Sequence, residues 1–208
     1  MSNQKLVSLS LAVFPILAFV GWIILGAILG FDNGPDKPES YIAALGENSN
    51  AVKAIFPIIT LLFLVVVACL GYIRNSMEGG SGHLMARFGF LLMVIAAPGF
   101  VAEGGLQMGV AEAASLGSIQ TAQTLFAAGN AIGAMATALM FIGFLVIGIG
   151  ILKQKNFHII IAAVMVIAGI FTTAICVIDY SNQLIVIGYV GFCLANAALG
   201  ISLLRSSE

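Results

Sequence analysis

Pro98-Gly99-Phe100-Val101-Ala102-Glu103-Gly104-Gly105 is the stretch on which the reading of this chain turns. It sets a carboxylate among helix-loosening residues at the far end of an apolar run that begins near Leu84 to Phe88. Such a run crosses a hydrocarbon layer about 30 Å thick at a rise of about 1.5 Å per residue. Glu103 then lies about 28 Å from Leu84, or about 22 Å from Phe88, so the first helical residue decides its depth. A start at Leu84 makes Glu103 an interfacial carboxylate, with Gly104 and Gly105 ending the helix. A start at Phe88 makes it a buried acid with no basic residue in a span to pair with, and hence one that carries a proton or coordinates an ion.

Outward from this stretch the chain is of one character. Across 208 residues, 61% are hydrophobic and 8% charged, and the mean hydropathy is +1.11, a composition that leaves too little polar surface for a water-soluble domain. Apolar runs at about 6–31, 53–73, 84–105, 122–152, 157–180 and 184–204 each reach spanning length, so the expected fold is all-α: a polytopic transmembrane helix bundle of six spans forming a single domain over 1–208. The first run is far longer than the roughly 7 to 15 apolar residues of a signal peptide, and reads as a retained anchor. Span four carries Ala128, Gly129, Ala131, Gly133, Ala134, Ala136 and Ala138, a small-residue face that lets neighbouring backbones approach closely. Asn130 and Asn196 are amides placed to hydrogen-bond between helices.

Two segments stand apart from the spans. Asp32 to Asn50 is polar, and within it Pro38 to Gly46 has Pro and Glu where a helix starts and Gly where one stops. Tyr41, Ile42 and Leu45 share a face there, which predicts a short helix lying on the membrane surface or, alternatively, a lid over a pocket. Leu106 to Gln120, small and mildly polar, reads as a re-entrant or interfacial segment.

Charge placement gives orientation. Lys5, Arg74, Arg87, Lys153, Lys155 and Arg205 fall at one end of the spans and only Lys37 and Lys53 at the other, so the first end is expected in the cytoplasm together with both termini. The expected location is the cytoplasmic, or inner, membrane, with the lipid bilayer as solvent. Asp32, Asp36, Glu39, Glu47, Glu112 and Asp179 then face outward. A net charge of -1 without a basic block excludes a nucleic-acid partner and a polybasic lipid patch. Cys69, Cys176 and Cys193 have no metal-ligand spacing, and His83 and His158 both map to the cytoplasmic edge. No metal, cofactor or catalytic residue is therefore expected.

With that topology Glu103, Gln107, Asn130 and Asp179 gather toward the outer leaflet from different spans, and they form the candidate ligand-binding set. The function this points to is binding or transport of a small solute or ion through an outward-facing polar cluster. The alternative is a non-catalytic accessory or scaffold subunit of a membrane complex, whose Gly and Ala faces contact a membrane-protein partner or a second copy of the chain. An intramembrane enzyme is the third class.

The order of features also carries a resemblance: a polar first outer loop, Gly71-Tyr72-Ile73-Arg74 closing span two, Glu103 ending span three, and Gly150-Ile151-Leu152-Lys153 before span five. This layout resembles small prokaryotic six-span membrane proteins grouped as a domain of unknown function, although span one lacks the Arg near its start that the pattern has. The bare topology is also similar to that of vitamin-binding subunits of modular importers. The resemblance implies a six-span fold and no particular activity.

Overall fold

The computed structural model describes residues 3–205. They form seven helices: α1 (Asn3–Leu29), α2 (Pro38–Glu47), α3 (Ser49–Ser76), α4 (His83–Ser115), α5 (Ile119–Gln154), α6 (Ile159–Ile178) and α7 (Ile185–Arg205). All but α2 are long and apolar enough to cross a membrane, giving six candidate spans, and no strand is present among the described residues. The chain ends, expected on the cytoplasmic side, lie outside the described residues.

The spans pack in sequence order. α1 meets α3, α3 meets α4, and so on through α7, which returns to α1 and closes a ring of antiparallel neighbours. Short connectors enforce this. Gly117, with φ +77, ends α4 in a left-handed turn in which Ser118 N–H reaches Ala113 O at 2.9 Å and Gly117 N–H reaches Ala114 O at 3.0 Å, the paired bonds that close a helix and reverse the chain. Lys155 plays the same part after α5 at φ 59, and His158 Nδ1 then caps α6 by accepting from Ile160 N–H at 3.3 Å.

Along the ring axis Phe63, Phe141, Phe144 and Phe192 fill the bundle, with Phe63 stacked on Phe192 at 5.0 Å and Phe144 tilted against Phe192 at 4.9 Å. α4 and α5 form the most extensive pair, and their backbones touch: a Cβ on Gly143 would meet the carbonyl oxygen of Gly89. Ile58, Leu61, Ile95, Met135, Ile167 and Leu194 point outward and are exposed. Water would penalise such a surface and lipid would not, as in a multi-pass membrane protein.

The structure differs from the sequence reading at the α2 end. The helix of span three, expected over 84–105, does not stop at Gly104-Gly105, and the segment from Leu106 is not re-entrant, because α4 continues through it to Ser115. α4 runs unbroken through Pro98 and both glycines for 33 residues, and α5 for 36, or about 50 Å each, against about 30 Å for α6 and α7. The excess is held by α2. Its Tyr41, Ile42, Ala44 and Leu45 are buried in the protein, where a helix lying flat on the membrane would direct them into lipid. They join Leu25, Leu29, Val52, Phe56, Val110, Ala111, Ala122 and Phe126 in a second apolar cluster, separate from the one that fills the bundle. Lys53 on α3 and Glu112 on α4 form an exposed ion pair on its flank. This cap is the outermost layer at the end opposite the six basic residues.

Candidate polar layer between the bundle and the cap

Helix periodicity places Glu103, Gln107, Thr137, Gly129 and Gly133 between the two apolar clusters. On α4 the bundle cluster ends at Ala96, with Phe100 packed against it, and the cap cluster begins at Val110; on α5 the corresponding boundaries are Met140 and Phe126. Glu103 and Gln107 are one turn apart on the face of α4 that meets α5. Opposite them, Gly133 and Gly129 are also one turn apart, and their missing side chains make the room. A Cβ on Gly133 would collide with the Glu103 carboxylate, and one on Gly129 would stand 3.7 Å from Gln107 Nε2.

Glu103 is the one carboxylate among the described residues that is not exposed. Tyr180 reaches it from the connector between α6 and α7. α6 is capped by Asp179 in extended backbone (φ -162, ψ 102), and because successive side chains alternate there, Asp179 turns out to solvent while Tyr180 turns in. The Tyr180 hydroxyl donates to Glu103 Oε1 at 2.7 Å, within the range of a charge-assisted bond. Thr137 Oγ1 donates to Tyr180 Oη at 3.4 Å and lies 3.2 Å from Tyr189 Oη. A threonine hydroxyl has one proton, already given to Tyr180, so Tyr189 is the donor to Thr137. The chain Tyr189, Thr137, Tyr180, Glu103 thus aligns every proton toward the carboxylate.

Electrostatics follow from burial. The titratable groups felt by Glu103 are Tyr41 from α2, Cys176 from α6, Tyr180 and Tyr189, and none of them is a base. No ion pair to Glu103 is present among the described residues. Burial, and after it the charge of Glu103, pushes the Tyr41 hydroxyl well above its ordinary value; burial, then Tyr189 and Glu103, does the same to Tyr180. Both therefore stay protonated and able to donate. Gln107 is 5% exposed, and its Oε1 has no donor among the described protein groups. Below the layer, Tyr189 packs edge-on against Phe141 at 5.4 Å and Phe63 at 6.2 Å, so the hydroxyl chain ends on the aromatic plug of the bundle.

The four residues expected to converge are distributed over three places. Glu103 and Gln107 share the layer. Asn130 lines an open groove of about 780 Å³ between α2 and α5, with Lys37, Glu39, Ser40, Gln123 and Phe126. Asp179 is an exposed loop acid whose Oδ1 accepts from Ser181 N–H at 3.0 Å, so it does not join the other three. Thr137, Tyr180 and Tyr189 were not anticipated. Thr137 was within reach of sequence reasoning, since it lies one turn beyond Gly133 on the same stripe of α5. Among the described residues no group of three or more His, Cys, Asp or Glu side chains comes together as a metal centre would require. Comparison of the chain with protein-family models, with curated proteins and with solved structures found no match.

Proposed function

We propose that this multi-pass membrane protein binds a proton or a small cation at Glu103 and transports it, loading from the compartment on the α2 side. The observation that carries the reading is a carboxylate with a hydroxyl donor and no base, half-buried between two apolar clusters. A carboxylate in such a place is costly unless it is compensated. Tyr180 supplies part of that compensation, and a proton or cation supplies the rest.

When Glu103 takes up a proton, a concerted turn of the Tyr180, Thr137 and Tyr189 hydroxyls lets Tyr180 accept from it without moving a helix. The α2 end carries Asp32, Asp36, Glu39, Glu47, Glu112 and Asp179 against Lys37 and Lys53, a negative field that concentrates cations at the entrance. We place this end outside the cell, with both termini cytoplasmic, because six basic residues mark the opposite end. Gln120 and Asn156 are exposed at opposite ends of α5. Cysteine at Gln120 is expected to react with an impermeant thiol reagent in intact cells and cysteine at Asn156 to be protected; the reverse pattern overturns the orientation.

The function is tested by flux. Liposomes containing the full chain should acidify or take up cation under an imposed gradient, and Glu103→Gln should abolish this while keeping the fold, since Gln preserves shape and hydrogen bonding. Equal flux through the variant would remove Glu103 from the centre. A packing role for the Gly and Ala faces is less favoured, because Gly129, Gly133, Gly143 and Gly150 all face α4 or its entry turn within the same chain.

A further inference from the structure

We infer that the polar layer is a site for one largely dehydrated monovalent metal cation of the alkali class, ligated by the Glu103 carboxylate, the Gln107 amide oxygen and the Tyr180 hydroxyl oxygen, with Thr137 holding Tyr180 in place. The inference rests on the cation-binding reading above and specifies its ligand. It starts from Gln107 Oε1, a buried acceptor without a protein donor, a state that costs about 1 to 3 kcal/mol in a protein interior. A proton on Glu103 can satisfy that oxygen through its single O–H, but it then leaves the second carboxyl oxygen with Tyr180 alone. A cation seated one turn away satisfies it and the carboxylate together.

Charge balance selects the valence. Glu103 brings one negative charge to a layer bounded on both sides by apolar clusters, so a monovalent ion leaves the layer neutral and a divalent ion leaves an unpaired positive charge. Divalent sites of the calcium and magnesium type also gather several carboxylates, and here the remaining donors are neutral. Tyr180 donates to Glu103 in the cation-free arrangement, and its hydroxyl can turn to present a lone pair instead. Gly129 and Gly133 leave the facing surface of α5 without side chains, so Glu103 and Gln107 on α4 lie directly against its backbone. Tyr41 and Phe126, in ring contact at 5.7 Å, belong to the cap that closes the layer from water. An ion held there must shed its shell, which favours oxygen ligands preset in number and spacing over hydrated divalent ions.

The test uses the purified full chain in detergent with choline as the background cation, titrated with lithium, sodium or potassium chloride at constant chloride and followed by calorimetry and thermal unfolding. One of the three alkali ions is expected to bind saturably and raise the melting temperature, with magnesium and calcium inert. Glu103→Gln should abolish the response. Gln107→Met should weaken it about tenfold, the scale of one charge-assisted contact, while the Glu103 carboxyl band still titrates with pH in the infrared. Gln107→Asn, which withdraws the amide oxygen by one methylene, should give the same loss if Gln107→Met does not fold. Gln107→Glu, which adds a second charge, should admit a divalent ion. Absence of any alkali response while the Glu103 band still titrates overturns the metal-ion site and leaves the proton reading standing. Absence of both overturns the two together. Equal affinity in Gln107→Met and the wild type also overturns the site.

Discussion

The bundle and the cap are two apolar cores built for different solvents. In the bundle, buried Phe141, Phe144 and Phe192 are surrounded by helices whose outer faces are themselves apolar, as at Leu61, Ile95 and Ile167. In the cap, buried Tyr41, Ile42 and Leu45 are covered by a surface carrying Glu39, Glu47, Lys53, Glu112 and Gln120, all exposed. The first arrangement suits lipid; the second sets charged residues beside exposed Phe31, Leu116 and Ile119, a mixed surface of the kind that suits a boundary with water. Glu103 lies where one gives way to the other, yet it is reached by neither solvent freely, because the cap continues α4 and α5 past the point where α6 and α7 end. An acid at this level would be an ordinary interfacial residue without the cap. With the cap it is half-buried, held by a hydroxyl chain that terminates on the bundle's aromatic plug.

The comparison can be broken in three places, in falling order of effect on stability. In the bundle, Gly143→Ala sets a methyl against the Gly89 carbonyl and Met93 on α4; backbone on one side leaves nothing flexible to yield, and a loss of about 3 kcal/mol is expected, read as a large drop in detergent melting temperature. In the cap, Leu45→Ala removes a wholly buried side chain, at about 2 to 3 kcal/mol. Hydrogen exchange should rise in α2 and at the α4 to α5 turn but not in α6 or α7, and a uniform rise would show that cap and bundle are one cooperative unit. In the layer between them, Gly133→Ala meets only the end of the flexible Glu103 side chain. Stability should change by less than about 1 kcal/mol while cation binding or flux falls, since the carboxylate must leave its place over α5.

What was legible in the sequence follows the physics that produces each feature. Hydropathy registers contact with lipid, so all six spans were visible, as was the grouping of Lys5, Arg74, Arg87, Lys153, Lys155 and Arg205 at one end. It says nothing about helices that continue into water. The stretch from Leu106 to Gln120 is weakly apolar because one side of it packs under α2 and the other faces solvent, and its helical state depends on the turn at Gly117 and on the cap. Glu103 and Gln107 could be singled out because a charge and an amide stand out in apolar sequence. Tyr180 could not, since a tyrosine beside a span end reads first as an interfacial anchor, and only the extended backbone at Asp179 turns it inward. Asp179 was drawn into the expected cluster by its position along the chain, and the same backbone turns it away.

The central claim, that Glu103 is a working carboxylate partly shielded by protein, is tested most directly by infrared difference spectroscopy of the full chain in lipid, recorded as acid is added and compared with Glu103→Gln. The account predicts a carboxyl band from a non-aqueous environment that changes with protonation, accompanied by tyrosine ring modes from its hydroxyl partner, and the loss of both signals in the variant without change in helical amide bands. A spectrum in which wild type and Glu103→Gln give the same carboxyl changes would contradict it.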